Sequence, residues 1–383
     1  MTPAARMQAA IEVLDRVLAG ANAEMVLTNW GRANRYAGSG DRAAVRDIVY
    51  DALRCRRSFA ALGGAETGRG LVLGGLRDAG RDPAEWFTGL GHAPVALTEG
   101  EEGRVPEGAE ALDCPAWLEA ELRDSLGAEF APVLAALRRR APVFLRVNLA
   151  RTTRAAAVAA LAAEGVEAVA HPLAASALEV VAGARRVAQT RTWAEGLVEL
   201  QDAASQAVVE MLPLQPGMRV LDLCAGGGGK TLAMAGRARL DLYAHDAEPR
   251  RMADLPARAE RAGVAVQRIE RPEARAPYDL VLTDVPCSGS GSWRRDPQGK
   301  WALTAKRLAA LQVLQAEIMD RAAAMVAPGG ILAYATCSLL ARENGAQVAD
   351  FLVRHSGWRQ EAARRFTPLD GGDGFFGAVL RRG

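Results

Sequence analysis

The chain has 383 residues, half of them hydrophobic and 24% charged, with a formal net charge of +2. That length exceeds one ordinary domain, and the near-neutral balance makes no case by itself for a polyanionic partner. Five cysteines without a Cys-x-x-Cys pair indicate neither a disulfide framework nor a zinc knuckle, so reduced thiols, a cytoplasmic location and no metal centre are expected.

The first residues, "MTPAARMQAAIEVLDRVL", are amphipathic and lack the apolar core of a signal peptide, and no run reaches the roughly 18 apolar residues of a membrane span. Met7, Ile11, Leu14 and Leu18 share one helical face. Val45, Ile48, Val49 and Leu53 form a second such face, with Asp41 as its expected N-cap. Residues 1–100 therefore read as a helical domain. The acidic, Gly- and Pro-containing stretch "LTEGEEGRVPEGAE" reads as a linker near 97–110. After it, "PVFLRVN", a helix-like "TRAAAVAALAAEG" and short strands near 167–170 and 178–181 predict a small α/β unit over 111–195.

From residue 200 to 383 the pattern is strand–helix alternation: "MRVLDLCA", "DLYAHD", "AVQRIE", "YDLVLTD" and "GGILAYATCS". That predicts a doubly wound, mostly parallel sheet, whose ligands sit beyond the carboxyl ends of the strands. Two of these strands lead into cysteine turns, Pro-Cys287-Ser-Gly and Thr-Cys337-Ser, so both thiols are expected on the rim of one crevice. One strand-end cysteine is usually a small buried hydrophobe. Two at the ligand end of one sheet point instead to thiol chemistry. Cys55 and Cys114 are read as packing residues.

"VLDLCAGGGGKTLAMA" is a strand, a glycine-rich turn and a helix start. A phosphate-binding loop would need glycine where Cys224 stands, and the dinucleotide fingerprint starting at Gly226 would need it at Thr231. What remains is Asp222 before the turn, with Asp246, Glu270 and Asp284 closing the next three strands. Acids at successive strand ends without a phosphate cradle suit a nucleoside lacking phosphate. S-adenosylmethionine is such a ligand: a carboxylate can accept both ribose hydroxyls, and another can hold the ammonium of the amino-acid part. A thiolate adding to C6 of a cytosine would make C5 nucleophilic enough to take a methyl group, which gives paired thiols a use.

These residues carry a family resemblance. "QDAASQ" (Gln201–Gln206), "DLCAGGGGKT" (Asp222–Thr231), "DVPCSGSG" (Asp284–Gly291) with "RRDPQGKW", "ATCS" (Ala335–Ser338) and "DGFFGAVLRR" (Asp373–Arg382) resemble the motifs of the RsmB/Nop/Sun-type RNA (cytosine-5) methyltransferases. The N-terminal "GDRAAVRDIVYDALRCRR" is similar to the helical NusB-like domain of the bacterial rRNA members, and "CPAWL" with "LRVN" to the linking segment.

The resemblance implies a Rossmann-like class I methyltransferase domain preceded by a NusB-like RNA-binding domain and a small α/β linker domain. It implies an S-adenosylmethionine-dependent enzyme forming 5-methylcytosine in bacterial small-subunit (16S) rRNA. Cys337 would be the nucleophile that adds to C6, Cys287 would aid product release, and Asp284 would contact cofactor and base. The cofactor loop would be Cys224, Ala225, Gly226, Gly227, Gly228, Gly229 and Lys230, with Asp246 on the ribose and Glu270 nearby. Gly226 and Gly227 replace the Ala-Pro usual in the family, which loosens that loop. Arg294, Arg295 and Lys300, just past Cys287, are the expected RNA contacts, with Trp293 or Trp301 as stacking partners. A monomer is expected, with RNA as the partner and no membrane association. A tRNA substrate, or a non-catalytic RNA-binding assembly factor, are the alternatives.

Overall fold

The computed structural model describes residues 1–383. Chain contacts divide it into one unit of Met1–Arg140 with Trp293–Leu303, and a second of Ala141–Ser292 with Thr304–Gly383.

The first unit is helical: α1 (Pro3–Leu18), α2 (Ala23–Ala33), α3 (Ser39–Arg54), α4 (Arg56–Gly63) and α5 (Gly68–Asp78), followed by shorter turns and helices. Thr2 caps α1 by accepting from the Ala5 amide, and Pro3 fills the first turn, where no N–H is needed. Ile11 and Leu14 are buried as the periodicity predicts, and Met7 and Leu18 pack against the same core. α3 starts three residues earlier than expected. Gly38 is its cap and Asp41 stands at the third helical position, where its carboxylate accepts from Gly38 N–H and from the Met1 ammonium. α4 and α5 cross closely because Gly74 has no side chain; a Cβ there would lie 2.0 Å from the Phe59 carbonyl oxygen. The stretch read as a linker is pinned by Arg69, which binds the Glu101 carboxylate.

The excursion Trp293–Leu303 completes this unit. Its short helix Pro297–Ala302 is capped by Asp296. Lys300 Nζ donates to the carbonyls of Arg54 (2.9 Å) and Asp113 (3.0 Å), and Trp301 Nε1 to that of Leu53 (2.6 Å).

The second unit carries two sheets. The smaller joins β1 (Val143–Val147), β2 (Glu167–Ala170), β3 (Ala177–Ala182) and β4 (Val198–Leu200) in the antiparallel order β2-β3-β1-β4. With its two helices the connectivity is β-α-β-β-α-β, around Leu145, Leu161, Val166 and Leu178.

The larger sheet contains β5 (Arg219–Asp222), β6 (Asp241–Ala244), β7 (Gln267–Arg268), β8 (Tyr278–Asp284), β9 (Val326–Thr336), β10 (Trp358–Phe366) and β11 (Phe375–Arg382), in the order β10-β11-β9-β8-β5-β6-β7. Strands β9-β8-β5-β6-β7 are parallel, while β11 runs antiparallel to β9 and β10 to β11. The expected mostly parallel, doubly wound sheet is thus present. Its strand order reverses between β5 and β8, and a ligand crevice opens at such a switch point. β7 is only two residues long, so Glu270 lies beyond the strand rather than closing it. No helix is long and apolar enough to cross a membrane.

Candidate active site

The crevice is built from the ends of β5, β6, β8 and β9. β5 stops at Asp222, which is fully enclosed. The Thr231 hydroxyl donates to its Oδ2 at 2.6 Å, while Oδ1 has no partner. Burial, opposed by that hydrogen bond, pushes its carboxyl up to about 7. A buried carboxyl oxygen without a donor, at the switch point of the sheet, can accept from a ligand cation or donor.

The turn after Asp222 curls through Gly226 (φ +49°) and Gly228 (φ +79°), both left-handed; a Cβ on Gly228 would lie 2.2 Å from Leu255 Cδ1. Asp246, two residues past β6, ties this turn down: its Oδ2 accepts from Gly226 N–H and its Oδ1 from Glu248 N–H, each at 2.9 Å. Two arginines hold the turn from outside. Arg146 on β1 donates to the Gly229 carbonyl at 2.7 Å and also to Gln201. Arg258 donates to the Gly227 carbonyl and to Glu199 on β4 at 3.3 Å. The glycines that loosen this loop are therefore anchored by guanidinium groups, a feature the sequence reading missed. Cys224 is half-buried, and burial pushes its thiol above the ordinary value, away from reactivity.

A cleft of about 630 Å³ lies beside the turn, lined by Asp246, Pro249, Met252, Ile269 and the exposed Glu270 among others. Apolar walls flanked by acids suit a nucleoside, and the open Asp222 oxygen suits an ammonium. The residues present fit S-adenosylmethionine.

Across the switch point, β8 ends on Asp284, whose Oδ2 accepts from Lys230 Nζ at 2.7 Å. Burial alone would lower the lysine's pKa, but the Asp284 carboxylate outweighs it and raises the ammonium above its ordinary value. Beyond lie the two thiols. Cys287 Sγ and Cys337 Sγ are 3.4 Å apart. Their surroundings differ. Cys337 is lowered, first by the hydrogen bond from Cys287 and then by the Lys230 ammonium and Ser292 hydroxyl, against burial and Asp284. Cys287 is raised, by that same hydrogen bond to Cys337, by burial, and by the negative charges of Cys337 and Glu343. The arrangement favours a Cys337 thiolate accepting from a Cys287 thiol.

Asp284, Lys230, Cys287, Cys337, Asp246 and the glycine turn of the sequence expectation thus converge. The expected RNA contacts Arg294, Arg295 and Lys300 belong to the helical unit. Lys300 is 3% exposed and Arg294 5%, both packed in the helical unit, where the Arg294 carbonyl accepts from Arg54 Nε at 2.8 Å. Burial lowers the Lys300 ammonium to about 8, so it is a structural cation and not a surface charge. Trp293 is also buried, and only Arg295 of the three cations is exposed. Sequence reasoning also missed Glu343, fully buried behind both cysteine turns. Its only signal was an acid placed six residues after Cys337, before a helix start.

Comparison with known proteins adds to this geometry. Residues 209–380 match the family model of the 16S rRNA methyltransferase RsmB/F, and residues 114–187 that of the ferredoxin-like domain of RsmF/B-like methyltransferases. Ribosomal RNA small subunit methyltransferase B of Erwinia tasmaniensis is 33% identical over 283 residues, 70% of this chain and 66% of that protein. The protein of that name from Xanthomonas campestris pv. campestris is 34% identical over 312 residues, 76% of this chain and 71% of its own. The chain thus spans roughly two thirds of the length of these relatives, at 66% and 71%. Among solved structures, PH0851 superposes with a TM-score of 0.77 at 23% identity, covering 100% of this chain and 99% of that one. NSun6 from Pyrococcus horikoshii with SFG gives 0.62 at 18% identity, covering 70% and 98%. At such identities the two structures speak for the fold alone.

Proposed function

Because the chain belongs to the RsmB/F family of 16S rRNA methyltransferases, we propose that it methylates C5 of a cytosine in small-subunit rRNA, with Cys337 as nucleophile and Cys287 as its partner. The observation that carries this reading is the thiol pair at 3.4 Å, with the Lys230 ammonium and the Ser292 hydroxyl on the Cys337 side. S-adenosylmethionine, the cofactor of the family, supplies an electrophilic methyl on a sulfonium when bound. Asp222, Asp246, Glu270 and the turn 224–230 are the residues that would hold it.

The remaining steps belong to the chain's own side chains. The Cys337 thiolate adds to C6 of the base, forming an S–C6 bond and moving electron density onto C5 and toward N3. The Lys230–Asp284 pair carries a proton on its ammonium, and it is the donor we assign to the charge developing at N3. Once C5 bears the methyl group, N3 has returned its proton to Lys230; the C5 proton passes to solvent water, its electron pair re-forms the C5–C6 double bond, and the S–C6 pair returns to the Cys337 sulfur. The departing Cys337 sulfur is then again the acceptor of the Cys287 thiol, which makes it a better leaving group. The base must be turned out of any stack to reach these sulfurs.

Transfer of label from S-adenosylmethionine to unmodified rRNA and tRNA, with wild type, Cys337→Ala and Cys287→Ala, tests the reading. We expect transfer to rRNA by wild type, none by Cys337→Ala, and a covalent protein–RNA adduct accumulating in Cys287→Ala. An adduct in Cys337→Ala would reverse the two roles, and labelling of tRNA alone would replace the substrate. No transfer to either RNA by wild type would overturn the enzyme reading.

A further inference from the structure

We propose that Glu343 is the positioning residue that fixes both cysteine turns and decides which of the two sulfurs is the nucleophile. The proposal rests on the thiol chemistry just described and assigns it a control that touches neither base nor cofactor.

Glu343 ends a short turn, Ala341–Glu343, after β9, and it is completely buried. Its Oε1 accepts from Ser288 N–H at 2.8 Å and from Gln315 Nε2 at 2.9 Å. Its Oε2 accepts from the hydroxyls of Ser288 and Ser338. Ser288 follows Cys287 and Ser338 follows Cys337, so one carboxylate grips the residue next to each thiol. The hydroxyls of Ser288, Ser290 and Ser338 also lie 3.1–3.2 Å from one another. The clamp is itself held: Tyr334 on β9 donates to the Glu343 carbonyl at 2.6 Å, and Gln315 also donates to the Pro286 carbonyl at 3.0 Å.

The chemistry of this carboxylate is unusual. It has four donors and no lysine, arginine or histidine in an ion pair with it, so its charge is stabilised by hydrogen bonds but not cancelled. An uncancelled negative charge in a buried site acts strongly on near neighbours. It disfavours a thiolate at Cys287, while the Lys230 ammonium favours one at Cys337. The groups bearing on the pair are Glu343 and the Gly289 amide on the Cys287 side, and Lys230, Asp284 and the Ser292 hydroxyl on the Cys337 side. Glu343 thus weighs against a thiolate at Cys287, while at Cys337 the Asp284 carboxylate opposes the Lys230 ammonium. A purely packing role for Glu343 would predict no such bias.

The test needs neither RNA nor cofactor. Folded full-length protein is pulsed with iodoacetamide across pH 6.5–9.5, and labelling of each cysteine is read by peptide mass spectrometry. Wild type should label Cys337 faster than Cys287. In Glu343→Gln the ratio of the two rates should fall by about tenfold, the effect of about one pH unit on Cys287. Glu343→Asp, which keeps the charge, should restore part of it. Cys55 and Cys114 are buried in the helical unit and report on folding. If they become labelled in Glu343→Gln, Ser338→Ala is read instead: it keeps the charge but frees the Cys337 turn, and the ratio should fall at least about threefold.

An unchanged ratio and pH profile in a folded variant would overturn the proposal, even if wild type methylates RNA. A changed ratio in a protein that transfers no methyl group would uphold the clamp and sink the methyltransferase reading alone.

Discussion

Replacing Asp222 by asparagine should change the pH dependence of stability in a defined direction. The native carboxyl is pushed up to about 7 from an ordinary 3.8, chiefly by burial. A gap of about three pH units at about 1.4 kcal/mol each amounts to about 4 kcal/mol. The native state keeps a proton that the unfolded chain has already released. Its contribution is therefore fully present below the unfolded value and is lost progressively as pH rises through the native one, between about pH 4 and pH 7. Asparagine does not titrate. It leaves one amide donor where Oδ1 has no partner, at a cost of about 1–3 kcal/mol that is the same at every pH. Urea unfolding of the two proteins at pH 5 and pH 8 isolates the effect. Relative to wild type, Asp222→Asn should gain about 2.5 kcal/mol between those values. An equal difference at both would refute the argument that burial disfavours an ionised Asp222.

Other substitutions probe other links of the structure. Arg258→Ala frees the Gly227 carbonyl, and binding of S-adenosylhomocysteine should weaken about tenfold in calorimetry, with faster amide exchange over residues 225–229. Gly228→Ala should cost at least about 1–2 kcal/mol from its left-handed φ, plus the displacement of Leu255, and thermal unfolding would show it. Lys300→Ala leaves the carbonyls of Arg54 and Asp113 without their donor. It should destabilise the protein by about 2–3 kcal/mol while leaving the salt dependence of RNA binding unchanged; a slope reduced by about one would restore a phosphate contact.

Much of the site was legible because strand ends are written locally. The apolar runs to Asp222, Asp284 and Thr336 stop where the polar turns begin, and parallel alternation then brings those ends together. What stayed hidden depends on partners far along the chain. Glu343 acquires its meaning from Ser288, and Arg146 and Arg258 from carbonyls of a loop they do not adjoin. β10 has almost no buried residue to mark it, because it is an edge strand set by pairing with β11. Lys300 and Arg294 read as surface charges because a basic run carries no sign of being enclosed. Only the fold shows the carbonyls that Lys300 donates to and the burial of Arg294.

The helical unit is not written continuously in the chain, since Trp293–Leu303 belongs to it although α1 to α5 end by Asp78. During synthesis, α1 to α5 emerge long before the segment that fills the carbonyls of Leu53, Arg54 and Asp113. N-terminal domains ordinarily finish first. Here the last piece of the first domain arrives only after the Cys287 turn has been made. A chain that stops short of residue 293 therefore lacks not only β9 and Cys337 but also the closing helix of its N-terminal domain.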